Sequence, residues 1–108
     1  MGHVTKGNVF EDLGFSREEA ADLAMKAKFA SDLRKFIERQ KLTQVKAAAF
    51  FDVPRPKISK IQGSDLTGIT IDYLVRMLAK TGGKFVCEFR QPPKKVAAAR
   101  LRSQRAVA

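Results

Sequence analysis

Two prolines separated by a single residue, Pro54 and Pro56, cannot sit inside one continuing helix. Each lacks the backbone N–H that a helix interior needs, and its ring collides with the preceding turn. Both are tolerated in the first turn of a new helix, so the chain must stop before Pro54 and restart at about Arg55. Upstream, Thr43 suits an N-cap for the Ala-rich stretch Gln44 to Phe51, and Asp52 is a residue suited to the turn that follows. Thr43 to Ile61 therefore reads as two short helices around a tight turn, the second running from about Arg55 to Gln62. Two such helices crossing steeply need a small residue where their backbones meet and apolar residues facing the core. Ala48 and the set Val53, Ile58 and Ile61 fit those needs, which leaves Arg55, Lys57, Ser59 and Lys60 facing outward. Their charges and hydroxyl suit base edges and phosphates, and nothing among them suits catalysis.

The flanking sequence supplies a scaffold. Ser16 followed by Glu19 has the spacing of a capping box, so a helix is expected from Arg17 to about Gln40. Along it Ala20, Leu23, Ala27, Ala30, Leu33 and Ile37 recur at steps of three or four and trace one apolar face, widened by Phe29 and Phe36. Gly63, Ser64 and Gly68 mark a loop, after which Thr70 caps a further helix with Ile71, Leu74, Val75 and Leu78 on one face, ended by Gly82 and Gly83. Lys84 to Phe89 alternates, with Phe85, Cys87 and Phe89 on one side, and reads as a half-buried β-strand. A lone strand needs a partner edge, either a strand around Val4 to Phe10 or its twin in a second subunit. The phenylalanines at 10, 15, 29, 36, 50 and 51 are read as core, and Cys87 as a small buried hydrophobe.

Charge narrows the partner. The chain of 108 residues carries 21 Lys and Arg against 11 Asp and Glu, a net +10, which favours a polyanion. Six of those cations, and no acid, lie in residues 90–108, so more than half of the net charge belongs to a basic C-terminal arm beyond Pro92 and Pro93. An anionic membrane surface competes poorly, since no run of about 18 apolar residues exists and the arm's one large apolar residue is Leu101. Met1 to Phe15 lacks the apolar stretch of a signal peptide, and Cys87 is the one cysteine; both fit a reducing cytoplasm. No cofactor or metal is expected, because His3 has no Cys or Asp cluster around it. The chain has no phosphate-binding glycine loop and no nucleophile paired with a base, so it reads as a binding protein, not an enzyme. A general RNA-binding role would call for an aromatic platform or a glycine-lysine loop, and neither is present.

With T-Q-x-x-x-A-x-x-x-x-V at 43–53, P-K-I-S-K-I at 56–61 and I-D-Y-L-V-R-M-L at 71–78, the sequence resembles the Xre family of helix-turn-helix regulators, the group related to Cro and phage repressors. N-V-F-E-D-L-G-F at 8–15 looks like the lead segment of HigA-like antitoxins within it. The resemblance implies a mainly α, compact four- to five-helix lambda-repressor-like domain over residues 16–89, behind a lead segment (1–15) and ahead of the arm (90–108). It implies double-stranded DNA as the partner and a homodimer acting as a repressor on a palindromic operator. Gln44 would contact a phosphate and brace the second helix, Arg55 would be the principal base reader, Ser59 and Lys60 would flank it along the groove, and Lys57 would meet the backbone.

The alternative that the resemblance raises is the antitoxin of a type II toxin-antitoxin pair, which neutralises a toxin and represses its own operon. Glu11 and Asp12, set between Phe10, Leu13 and Phe15, would then face a cationic toxin; the plainer reading of that stretch is a lid on the first long helix. The chain departs from the family pattern at Asp52 in place of the turn glycine, at Pro54 in place of a Ser or Thr cap, and at Gly63, one position early, with Ser64 in the glycine's place.

Overall fold

A computed structural model describes residues 8–93. They form five helices: α1 (Val9–Asp12), α2 (Arg17–Arg39), α3 (Gln44–Phe51), α4 (Arg55–Gln62) and α5 (Ile71–Ala79). The start signals operate as local chemistry requires. Ser16 and Glu19 form the reciprocal capping box of α2, and the Thr43 and Thr70 side chains accept from Lys46 N–H and Tyr73 N–H at the starts of α3 and α5. α2 packs along α5 and α4, and α3 packs on α4. Leu33 and Ile37 of α2, Ala47 and Phe51 of α3, Ile58 and Ile61 of α4, Ile69, and Leu74 and Met77 of α5 close one apolar core. No polar or charged residue is buried among the described residues, so burial of apolar area holds the domain together.

The structure corrects the sequence reading in several places. Among the described residues there is no β-strand: Lys84 to Phe89 runs on from α5 without regular structure, because no edge lies beside it to complete a ladder. Asn8 caps a helix that contains Val9 and Phe10, so none of the three is part of an N-terminal strand, and residues 4–7 of that expected strand, like arm residues 94–108, fall outside the described residues. Cys87, off any strand, is exposed rather than buried. The residue sealed at the α3 contact is Ala47, while Ala48 one position on is only partly buried. Of the phenylalanines, Phe29 and Phe51 are buried, Phe10 and Phe36 are half-buried, and Phe15 and Phe50 stand exposed.

α1 is a lid in part. Asn8 caps it by accepting from Phe10 N–H at 2.8 Å, and its amide donates to Ala20 O at 2.6 Å, tying the lid to α2 over a fully buried alanine. Val9 and Leu13 nonetheless face outward, 53% and 69% exposed.

Phe50 and Phe51 separate burial from mere aromatic contact. They meet edge to face at 4.9 Å, yet Phe51 is wholly buried and Phe50 is 46% exposed. Phe51→Ala should cost about 3–5 kcal/mol in urea denaturation, and Phe50→Ala about 1 kcal/mol. Equal losses would mean that Phe51 is not the residue on which the core closes.

Candidate nucleic-acid interface

The turn between α3 and α4 is built from Asp52 and Pro54. Asp52 takes the left-handed conformation (φ 57°, ψ 50°) at the end of α3, a region that aspartate tolerates better than most residues. Its N–H turns back to Ala49 O and that of Val53 to Ala48 O, which closes the turn. Pro54 occupies the N-cap of α4 and provides no side-chain hydrogen bond, but its carbonyl accepts from Lys57 N–H at 2.9 Å. Ser64 (φ 64°) does take the left-handed place after α4, while Gly63 does not.

Ile58 and Ile61 anchor α4 in the core. At about 100° per residue the opposite side belongs to Pro56 and Ser59, with Arg55 and Gln62 along one edge and Lys57 and Lys60 along the other. The two edges behave differently. On the first, Gln44 at the start of α3 reaches across: its Oε1 accepts from Arg55 Nε at 3.2 Å, and its Nε2 donates to Gln62 Oε1 at 3.0 Å. One amide thus fixes both ends of the edge, and the two terminal nitrogens of the Arg55 guanidinium remain available as donors. On the second edge both lysines bend toward the α5 side. Lys57 Nζ stands 5.3 Å from the centre of the Tyr73 ring, a cation–π contact, and Lys60 Nζ donates to Thr67 O at 2.8 Å. Ser59 lies exposed between the edges.

The structure therefore brings Gln44 and Arg55 into one hydrogen-bonded line and places Lys57 and Lys60 together on the far edge, apart from that line. Sequence reasoning did not find Gln62, although its position seven residues after Arg55 puts it two turns on along the same edge. It also did not find Arg34. From α2 the Arg34 guanidinium donates to Ile61 O at 2.9 Å, a carbonyl at the end of α4 that also accepts from Ser64 N–H at 3.2 Å in the turn that follows. Beyond α4, the Asp65 carboxylate accepts from Thr67, which holds its pKa below the usual carboxylate range. That stabilisation is present above the unfolded-state pKa and fades as pH falls through the lowered value. Among the described residues no group of three or more His, Cys, Asp or Glu side chains is placed to hold a metal, and no helix is long and apolar enough to cross a membrane.

Comparison with known proteins adds to this geometry. The sequence profile of a family described as "Helix-turn-helix domain" matches residues 9–86, a span that includes all five helices. A solved structure provisionally named an XRE family transcriptional regulator superposes with a TM-score of 0.63 at 26% identity, over 70% of this chain and 85% of that one. No curated protein matches the chain.

Arg34 provides a test of how α4 is held. Its bond to Ile61 O is charge-assisted and partly buried, so Arg34→Met should destabilise the domain by about 1.5–3 kcal/mol in urea denaturation. A loss below about 0.5 kcal/mol would place it with ordinary surface substitutions and remove it as a support of α4.

Proposed function

The chain belongs to the helix-turn-helix domain family, and from that membership we propose that it is a sequence-specific DNA-binding transcriptional regulator, a repressor acting as a cytoplasmic homodimer on a palindromic operator. The observation that carries the reading is the outward edge of α4, where Gln44 holds Arg55 by its Nε and leaves the terminal nitrogens exposed. A guanidinium presented in this way is suited to the O6 and N7 acceptors of a guanine in the major groove. In this reading Gln44 keeps one amide hydrogen for a phosphate, Ser59 lies beside Arg55 along the groove, and Lys57 and Lys60 meet the DNA backbone. Each lysine's intrachain contact leaves N–H donors for a phosphate oxygen. A single eight-residue helix reads only a few base pairs, and a dimer reading two half-sites about 34–36 Å apart multiplies that information.

A second role, binding a toxin, draws on α1. Val9, Leu13 and Phe15 are exposed beside Glu11 and Asp12, an acidic and apolar surface on a strongly basic protein. Co-purification of the native chain with a small basic protein encoded beside it supports this role, and isolation without one opposes it.

Base readout and phosphate contact separate by mutation. Arg55→Ala should relax preference at one operator position by about 1–3 kcal/mol, whereas Lys57→Ala should weaken all sequences alike. If site selection returns an unchanged consensus and ranking for Arg55→Ala, Arg55 is not the reader.

The arm is tested by salt. Each phosphate it neutralises adds about 0.9 to the slope of log affinity against log salt, so deletion from Pro92 should flatten that slope by about 2–3 if three cations engage. The consensus should stay the same, because the arm carries neither an aromatic wedge nor Asn. Equal slopes for intact and shortened chains would mean the arm does not touch DNA.

A further inference from the structure

Past α5 the chain turns at Gly82 (φ 81°) and passes beside α2, where the Phe85 ring meets Phe29 edge-on at 5.9 Å. Residues 84–93 make no backbone hydrogen bond to any other described residue. Two of their apolar side chains are equally unprovided for: Val86 is 93% exposed and Phe89 is 79% exposed. Between this segment and α2 lies an open groove of about 540 Å³ whose apolar walls include Ala24, Met25, Phe29 and Leu78. An unpaired backbone edge, apolar side chains in water and an unfilled apolar groove thus coincide in one place.

We propose that residues 84–88 pair antiparallel with the same segment of a second copy of this chain, about a two-fold axis through Val86; the proposal rests on the homodimer reading above and names its interface. Symmetric pairing places each residue opposite its mirror image across the axis, so the sequence itself selects the register. With the axis at Val86, Lys84 lies opposite the partner's Glu88, Glu88 opposite the partner's Lys84, and the two valines face each other. Both cross-strand ion pairs are attractive and the central pair is β-branched, which is the favourable pattern for such pairs. With the axis one residue on, at Cys87, Lys84 would meet the partner's Arg90, and like charges directly opposite are unfavourable. With the axis at Glu88, two glutamates would meet.

The other face agrees with the same register. Phe85, which turns toward α2, would lie opposite the partner's Cys87, and the partner's Phe89 would lie opposite Gly83. Gly83 has no side chain and lines the groove, so the exposed ring has a place to go, against Ala24, Met25 and Leu78. Within one copy Glu88 already holds Arg90 at 3.6 Å with both side chains in water, and pairing would set it between two cations. Pro92 and Pro93, without N–H groups, end the ladder.

The test uses the full chain carrying Cys87→Ser and Val86→Cys, compared with the natural chain, whose one thiol is Cys87. Mild oxidation should cross-link the Val86→Cys chain into a disulfide dimer and leave the natural chain largely uncross-linked. In sedimentation, Lys84→Glu alone should weaken dimerisation by about tenfold or more, and Lys84→Glu with Glu88→Lys should restore it to within about threefold. All the altered side chains are exposed, and far-ultraviolet circular dichroism checks that the helices persist. A dimer that persists through the single reversal and resists cross-linking at Val86 overturns this interface and leaves the homodimer reading intact. Cross-linking at Cys87 in place of Val86 overturns the register. A natural chain that is monomeric at tens of micromolar overturns the homodimer reading itself.

Discussion

The angle at which α4 leaves α3 is set at Asp52, the residue whose left-handed backbone turns the chain between them. A right-handed residue there would carry α3 onward into Pro54, whose ring and missing N–H forbid it, so the left-handed turn and the proline enforce each other. Everything that faces outward on α4 follows from that angle. Once Ile58 and Ile61 are driven into the core, helical geometry alone decides that Arg55 and Gln62 come within reach of Gln44 while Lys57 and Lys60 fall on the opposite edge. The same device recurs around the molecule: Gly14, Lys41, Ser64 and Gly82 take positive φ just beyond the ends of α1, α2, α4 and α5. Only two of these four are glycine, so the chain accepts some backbone strain to keep its helices short and its turns tight.

The two helices of the motif are also fastened from outside by cations. Arg34 of α2 donates to Ile61 O at the end of α4, and Lys80, just past α5, donates to Phe51 O at the end of α3. The carboxyl end of a helix carries partial negative charge on carbonyls that lack intrahelical donors, which makes these the favourable places for a guanidinium or an ammonium. Part of the positive charge that a simple count would assign to a polyanionic partner is thus spent on internal structure. The same holds in weaker form for Lys57 on Tyr73 and Lys60 on Thr67. Arg55 differs from these four, because its one intrachain bond uses Nε and orients the guanidinium while its terminal nitrogens stay unoccupied.

That difference also marks the limit of what the sequence could tell. The helix starts were legible because each rests on one residue acting on its own neighbours: Ser16 with Glu19, Thr43 on Lys46, Thr70 on Tyr73. The core face of α2 was legible because periodicity and burial share a cause, and Ala20, Ala30, Leu33 and Ile37 are all buried. Contacts across the fold left no comparable trace. Nothing in the spacing distinguishes Arg34 from the exposed cations of the same helix, and the burial of Ala47 rather than Ala48 depends on the rotation of α3 against its neighbours. Met77 was missed for a related reason, lying at the margin of a stripe drawn through Ile71, Leu74, Val75 and Leu78.

Lys84 to Phe89 is the instructive failure. The alternation that reads as a strand is present, and Phe85 does turn toward Phe29, yet the described residues provide no neighbouring backbone with which to pair. A strand is a property of two edges, whereas a helix satisfies its own N–H and C=O groups within one segment. Alternation in a sequence therefore records which face of a segment is apolar and is silent about where its partner lies. A pattern whose charges are complementary to its own reverse, Lys84 to Glu88 through Val86, carries more information than alternation, because it specifies an antiparallel partner identical to itself. In this fold that requirement falls at the end of the helix that closes the core, outside the face that presents α4. The groove along this segment is lined by no residue of α4, so pairing there would join two copies away from Arg55, and under the proposed DNA-binding reading the two copies of α4 would act together while each stayed free to reach a groove.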